Sequence, residues 1–293
     1  MLSSLQLQAL VAVCDAGSFD DAARTLHVST SALSQRMSAL EKAVGLPLLN
    51  RGRPITPTAE GEKILGLARA TVLLHAETMA ALHPESGQMP RITLAVNGDS
   101  LVTWFQPIVA QIAEERRWLL DLTIDDEAHT AALLSAGRVS CAISTSIHTS
   151  AGARVEHLGT MRYRAVATTE LFERWGSLNP ADLPFLRFND RDLLQHRYLE
   201  QVGVEAFPPH HTLPSLQAFY PAIRAGLGWA MLPEVQAEQH VSDGDVVFLG
   251  SGSESPAPVI EVPMYWHRAR TASATVESLT EMVRAAAQAS LWR

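Results

Sequence analysis

The chain has 293 residues, is 47% hydrophobic and carries a net charge of −8. That hydrophobic content is enough for two or more domains with real cores, and 18% charged residues leave little room for long disorder. The start, Met1-Leu2-Ser3-Ser4-Leu5, lacks the basic stretch and apolar run of a signal peptide, and no apolar run is expected to approach a membrane span. Cys14 and Cys141 lie far apart in apolar contexts, which predicts buried free thiols rather than a disulfide and fits a cytoplasmic location. Of 23 basic and 31 acidic groups, five of each fall in residues 1–60, so the acidity lies entirely beyond residue 60.

In chain order, residues 3–15 place Leu7, Leu10, Val11 and Cys14 on one face of a supporting helix. Two short helices joined by a tight turn come next. Ser18 is the N-cap expected for the first, with Asp20 and Asp21 against its positive end. Val28 closes the turn, and Ser29 or Thr30 caps the second helix. In that second helix Leu33, Met37, Leu40 and Val44 recur at helical spacing. The opposite face carries Ser31, Gln35, Ser38 and Lys42, with Thr30, Ser34 and Arg36 at its edges. Short polar side chains of this kind read base edges in a major groove. A helix pair in an ordinary bundle has the same spacing. The segment after the pair favours DNA: Asn50-Arg51-Gly52-Arg53-Pro54 is a basic turn between two short strands, a wing whose Arg51 and Arg53 meet phosphate or minor groove.

Thr56 as cap and Pro57 at the first position are expected to start a long helix running to about Leu82. Its apolar stripe is too broad for one small neighbour, and pairing with a second copy is the natural cover. His75 in that seam reads as a packed histidine. His83–Pro90 is a hinge by composition. Beyond it, strands at 92–96, 119–124 and 139–143 alternate with helices, one of them expected from Leu101 to about Arg117, and predict a parallel α/β sheet. Further strands fit 162–168, 185–188, 246–249 and 262–266, and a closing helix fits 274–291.

Ala22-Ala23, Ser31-Ala32-Leu33-Ser34, Leu40-Glu41, Arg51 and Thr58-Ala59-Glu60-Gly61 closely resemble the N-terminal domain of LysR-type transcriptional regulators. The resemblance covers nearly the whole chain. It implies an α + α/β protein: a winged helix-turn-helix at 1–57, a linker helix and hinge at 58–90, and a two-lobed effector domain at 91–293, like periplasmic solute-binding proteins. Lobe I is expected at 91–163 and 264–293, and lobe II at 164–263. The implied partners are double-stranded operator DNA, RNA polymerase and further copies of the chain, as dimer and tetramer. No cofactor, metal or membrane is expected.

The effector is expected in the cleft between lobes. Asn97-Gly98-Asp99-Ser100 opens a helix, and a helix N-terminus with a hydroxyl suits a carboxylate. Thr103 lies one turn on, with Trp104 in the core. Asp125-Asp126-Glu127 ends a strand, and clustered carboxylates there call for a cationic ligand group. Asn189-Asp190 and Ser215-Leu216-Gln217 are expected to face the same gap. Val96–Leu101, Thr103-Trp104-Phe105, Asp126–Thr130, Leu158–Arg162 and Met264-Tyr265-Trp266 resemble the branch of the family that senses basic amino acids and switches on their exporter. That branch implies L-lysine, L-arginine or L-histidine as effector. Gln217 stands where branch members carry an acidic residue, and Gly98 where alanine is usual. An enzyme or a solute-binding protein is the competing reading. The chain has no Gly-x-Ser-x-Gly elbow, P-loop or dinucleotide fingerprint, and His210-His211 is expected in an exposed loop rather than at zinc.

Overall fold

The computed structural model describes residues 2–50, 52–87, 89–124, 133–134, 136–148, 153–204, 206–250, 258–269 and 273–293. The chain divides into two compact units. The first comprises Met1–Asn97, Gln106–His157 and Tyr265–Ala286, and the second Gly98–Phe105, Leu158–Met264 and Ala287–Arg293. Residues expected in three separate domains therefore share the first unit, while Gly98–Phe105 belongs with residues expected in lobe II.

The first unit begins with α1 (Ser4–Ala16), α2 (Phe19–Thr25) and α3 (Thr30–Val44). Ser18 and Ser29 cap the second and third, each accepting from the backbone N–H three residues on. Leu7, Leu10, Val13, Leu33, Met37 and Leu40 close a common core. A two-stranded wing pairs β1 (Leu49–Asn50) with β2 (Thr56–Pro57). Thr56 and Pro57 are thus strand residues, not the start of the long helix. Thr58 is the N-cap of α4 (Ala59–Leu82), its hydroxyl accepting from Gly61 N and donating to Pro47 O.

By length and composition α4 is apolar enough to cross a membrane, contrary to the expectation that no segment is, and only 17% of its most apolar window is buried within one chain. Arg69, His75 and Glu77 interrupt the apolar run that sequence inspection looks for. His75 is exposed in the single chain.

After β3 (Arg91–Val96) the chain forms α5 (Gly98–Val102) and α6 (Gln106–Glu115), where one helix was expected. Pro107 is the reason: it has no N–H for the carbonyl four residues back, whereas in the first turn of α6 that donor is not needed. Trp104 and Phe105 bury themselves edge to face at the break. In the first unit β3 lies parallel to both β4 (Leu119–Ile124) and β5 (Cys141–Ser144). β3 is buried over Leu94–Val96, as a strand covered on both faces should be.

The second unit is built on β6 (Ala153–Ala167), which runs into it from the first. It holds α7 (Thr169–Trp175), β7 (Phe185–Arg187), α8 (Leu194–Gln201), β8 (His210–Thr212), α9 (Leu216–Arg224), β9 (Ala230–Pro233), α10 (Glu234–Ser242) and β10 (Val247–Phe248). β9 and β10 both pair antiparallel with β6. β11 (Val259–Ala269) returns the chain to the first unit, pairing antiparallel with β5, and α11 (Ala274–Ser290) comes last. The pairing is therefore mixed rather than all parallel, since β11 runs antiparallel to β5 while β3 runs parallel to both β4 and β5. His210 and His211 are exposed, as expected, but in a strand paired with β7 rather than in a loop. Cys14 and Cys141 are free thiols, and burial pushes the Cys14 thiol up to about 11.

Candidate functional site

The face of α3 opposite its buried residues is Ser31, Gln35, Ser38 and Lys42, all exposed. Ser34 and Thr30 are exposed at its edges, and Arg36 is half-buried. Thr30 Oγ1 donates to Asp20 Oδ1 at 2.9 Å, tying the start of α3 to α2. Gly45 ends the helix, and Glu41 Oε1 accepts from Leu48 N at 2.9 Å, which sets the turn into the wing. Asn50 holds the wing closed by donating to Pro57 O at 3.0 Å. Arg53 is exposed at its tip, while Arg51 lies outside the described residues. The head thus offers short neutral donors and acceptors on one helix face beside a cationic loop, which is what reading base edges between phosphates requires.

The second unit gathers a different set. Asp99, in the first turn of α5, accepts from Tyr163 Oη at 2.9 Å. Burial raises its carboxyl to about 6; the Tyr163 hydrogen bond lowers it and the charge of Asp192 raises it further. Neither neighbour is a cation, and the Tyr163 hydrogen bond offsets only part of the cost of burying a charged Asp99. Asp192 accepts from Phe188 N at 2.9 Å and Leu194 N at 3.3 Å. Gln195, fully buried, donates to Leu186 O at 2.8 Å and to Asp192 Oδ2 at 3.2 Å. Its Oε1 finds no partner among the described residues. Two carboxylates and a spare amide oxygen in one unit make a place for cationic donors. A Cβ at Gly98 would come within 2.9 Å of Leu216 Cδ1, so glycine at this position gives the Leu216 side chain its room.

Other expected effector residues are engaged elsewhere. Ser100 is buried and accepts from Trp104 Nε1 at 3.0 Å. Thr103 Oγ1 donates back to Asp99 O at 2.5 Å. Asn97 is buried at the end of β3. Asn189 Oδ1 accepts from Arg191 N at 2.8 Å in a local turn. Asp190 pairs with the largely buried Arg187 and is itself 87% exposed. Ser215 caps α9, and Gln217 is exposed. Asp125, Asp126 and Glu127 lie outside the described residues. Sequence reasoning missed Asp192, Tyr163 and Gln195.

Among the described residues, His240, Asp243 and Asp245 also bring potential metal ligands within 4.8 Å of one another. Asp245 is taken up by Arg224 at 3.0 Å and Tyr220 Oη at 2.8 Å, and Asp243 by Gln239. This is a hydrogen-bonded finish to α10, where cationic Arg224 also offsets the negative helix end.

Residues 5–62 match the bacterial regulatory helix-turn-helix protein of the lysR family, and residues 85–288 match the LysR substrate binding domain. The chain belongs to the LysR family. Among its LysR-family relatives is the lysine export transcriptional regulatory protein LysG of Corynebacterium efficiens, 40% identical over 99% of each chain. The HTH-type transcriptional regulator ArgP of Pseudomonas aeruginosa is 38% identical over 96% of this chain and 94% of its own. Among solved structures, full-length LysG from Corynebacterium glutamicum with bound effector Arg covers 99% of this chain and 100% of its own at 38% identity and a TM-score of 0.77. ArgP from Mycobacterium tuberculosis covers 98% of each chain at 37% identity and a TM-score of 0.83. Like other LysR-family members, this protein is a DNA-binding transcriptional regulator.

Proposed function

We propose that this regulator activates an amino-acid exporter gene when a basic amino acid binds its effector domain. The observation that carries the effector reading is Asp99, a crowded carboxyl with a second carboxylate in reach and no cation of its own. L-Arginine and L-lysine each bring two cationic groups, an α-ammonium and a side-chain charge. Asp99 and Asp192 receive those charges, Tyr163 orients Asp99, and Asn97, Ser100 and Thr103 hold the short helix in place. Asp125, Asp126 and Glu127 are kept as the carboxylates at the end of β4, and Asn189, Ser215 and Gln217 as neutral contacts.

Thr30, Ser31, Ser34, Gln35, Arg36 and Ser38 read operator bases, while Arg51 and Arg53 hold phosphate. The head at 1–57 holds five basic and four acidic groups, a net charge of only +1, so one copy binds DNA weakly and several must act together. The uncovered apolar surface of α4 supports the same conclusion, with homodimers paired through 58–90 and assembled into tetramers. The regulator works in the cytoplasm, with RNA polymerase as partner and no cofactor. A thermal-shift screen of the twenty amino acids tests the reading. A ligand at 100 times its Kd adds about 2.7 kcal/mol, so arginine, lysine or histidine should raise Tm clearly and the others should not. No shift with any of the three removes the basic-amino-acid reading.

A further inference from the structure

Within the first unit, α4 is fastened at two points eight residues apart, about 12 Å along the helix. At the first, Arg69 Nε donates to Gly137 O at 2.6 Å, and the same guanidinium pairs with Asp15 of α1. The Arg69 side chain is only 11% exposed. Gly137 packs directly on Gly66 of α4. A Cβ at Gly137 would stand 2.4 Å from Gly66 N, and its φ of +65° also favours glycine. At the second point, Glu77 Oε1 accepts from Ser273 Oγ at 2.5 Å and Thr275 N at 2.9 Å. Those groups form the N-terminal end of α11, whose dipole favours the carboxylate. Ser273 Oγ accepts in turn from Val276 N, so one hydroxyl caps the helix and holds Glu77.

We propose that Arg69 and Glu77 form a two-point clasp that makes the DNA-reading head, α4 and the 136–144 and 273–286 part of the effector domain move as one body. With both points closed, α4 does not swing independently of residues 136–144 and 273–286. Effector binding is then relayed to the head by displacement of a rigid body. Arg69 and Glu77 are positioning residues in this scheme and touch neither effector nor DNA. The clasp rests on the proposed effector reading only for the signal it relays.

The test uses full-length protein as wild type, Arg69→Ala and Glu77→Ala. The first readout is amide hydrogen exchange at 136–138 and 273–277 without ligand. Both variants should exchange at least tenfold faster there than wild type. Unchanged exchange overturns the clasp whatever the effector is. The second readout is affinity for the chain's own promoter DNA with and without 10 mM L-arginine or L-lysine. The ligand-induced change seen in wild type should fall to within twofold of none in the variants, while calorimetry shows their amino-acid affinity kept within threefold. A variant that opens the clasp and still responds fully overturns the relay. If wild type itself ignores both amino acids while the exchange result holds, the effector reading fails and the clasp stands. Should Arg69→Ala fail to fold, Glu77→Ala carries the test, because it removes a half-buried carboxylate and leaves the cap of α11 intact.

Discussion

The proposed DNA-reading face and the proposed effector site around Asp99 solve opposite problems. On α3 the working groups are mostly neutral and exposed, with Arg36 half-buried at the edge, all set within nine residues, and the buried Leu33, Met37 and Leu40 hold them in register. They stay hydrated until a groove replaces the water, so they burden the free protein little. Around Asp99 the working groups come from 99, 163 and 192, and the free protein holds a carboxyl away from any cation. A surface that must recognise many contacts weakly is built from satisfied groups. The site proposed to register one small ligand is built instead on a buried carboxyl that Tyr163 orients and that a cationic ligand would stabilise further.

The sharpest way to break this contrast is Asp99→Asn. It should lower L-arginine or L-lysine affinity at least 100-fold, about 2.8 kcal/mol, in calorimetric titration. An unchanged titration would take Asp99 out of the site. Next, Gln35→Ala should weaken operator binding by about 2 kcal/mol in gel shifts and leave random DNA unaffected. Equal loss on both would make Gln35 a positioning contact and blur the distinction. A third expectation concerns stability. Asp99 ordinarily titrates near 3.8 and in the fold at about 6, so the folded state retains a proton that the unfolded chain has lost between those values. Stability from this group is therefore lost as pH rises from about 4 to about 6. Urea unfolding should show Asp99→Asn gaining about 3 kcal/mol on wild type across that window. A difference that stays flat with pH would mean that Asp99 is already compensated. The smallest effect belongs to Arg53→Ala, which should weaken specific and random DNA alike by about 1 kcal/mol and flatten the log–log salt slope by about 0.9. Anisotropy at several salt concentrations reads both numbers.

Much of the head was legible because its signals are local. Ser18 and Ser29 cap helices they immediately precede, and the spacing of Leu33, Met37 and Leu40 declares the buried side. Thr56-Pro57 misled for an equally local reason: a hydroxyl before proline reads as a helix start, while cross-strand pairing with Leu49 and Asn50 claimed it for the wing. Pro107 marked the break between α5 and α6 in plain sight, yet the apolar periodicity running through Trp104 and Phe105 masked it. Of the three groups proposed around Asp99, only Asp99 itself was legible. Asp192 sits 93 residues away in an ordinary polar turn, and its neighbour Asp190 carries the same chemistry with the opposite fate, exposed and paired with Arg187. Contacts such as Arg69 with Gly137 or Glu77 with Ser273 span 68 and 196 residues, a separation no periodicity reports.

The bare flank of α4 has a consequence for how much of this protein a cell must make. A helix so poorly sheathed by its own chain gains its stability from mass action, so dilution alone should lower the unfolding midpoint. Regulator abundance would then act as a second dial on the switch. Below a threshold, lone subunits would be lost to proteases before they reach an operator.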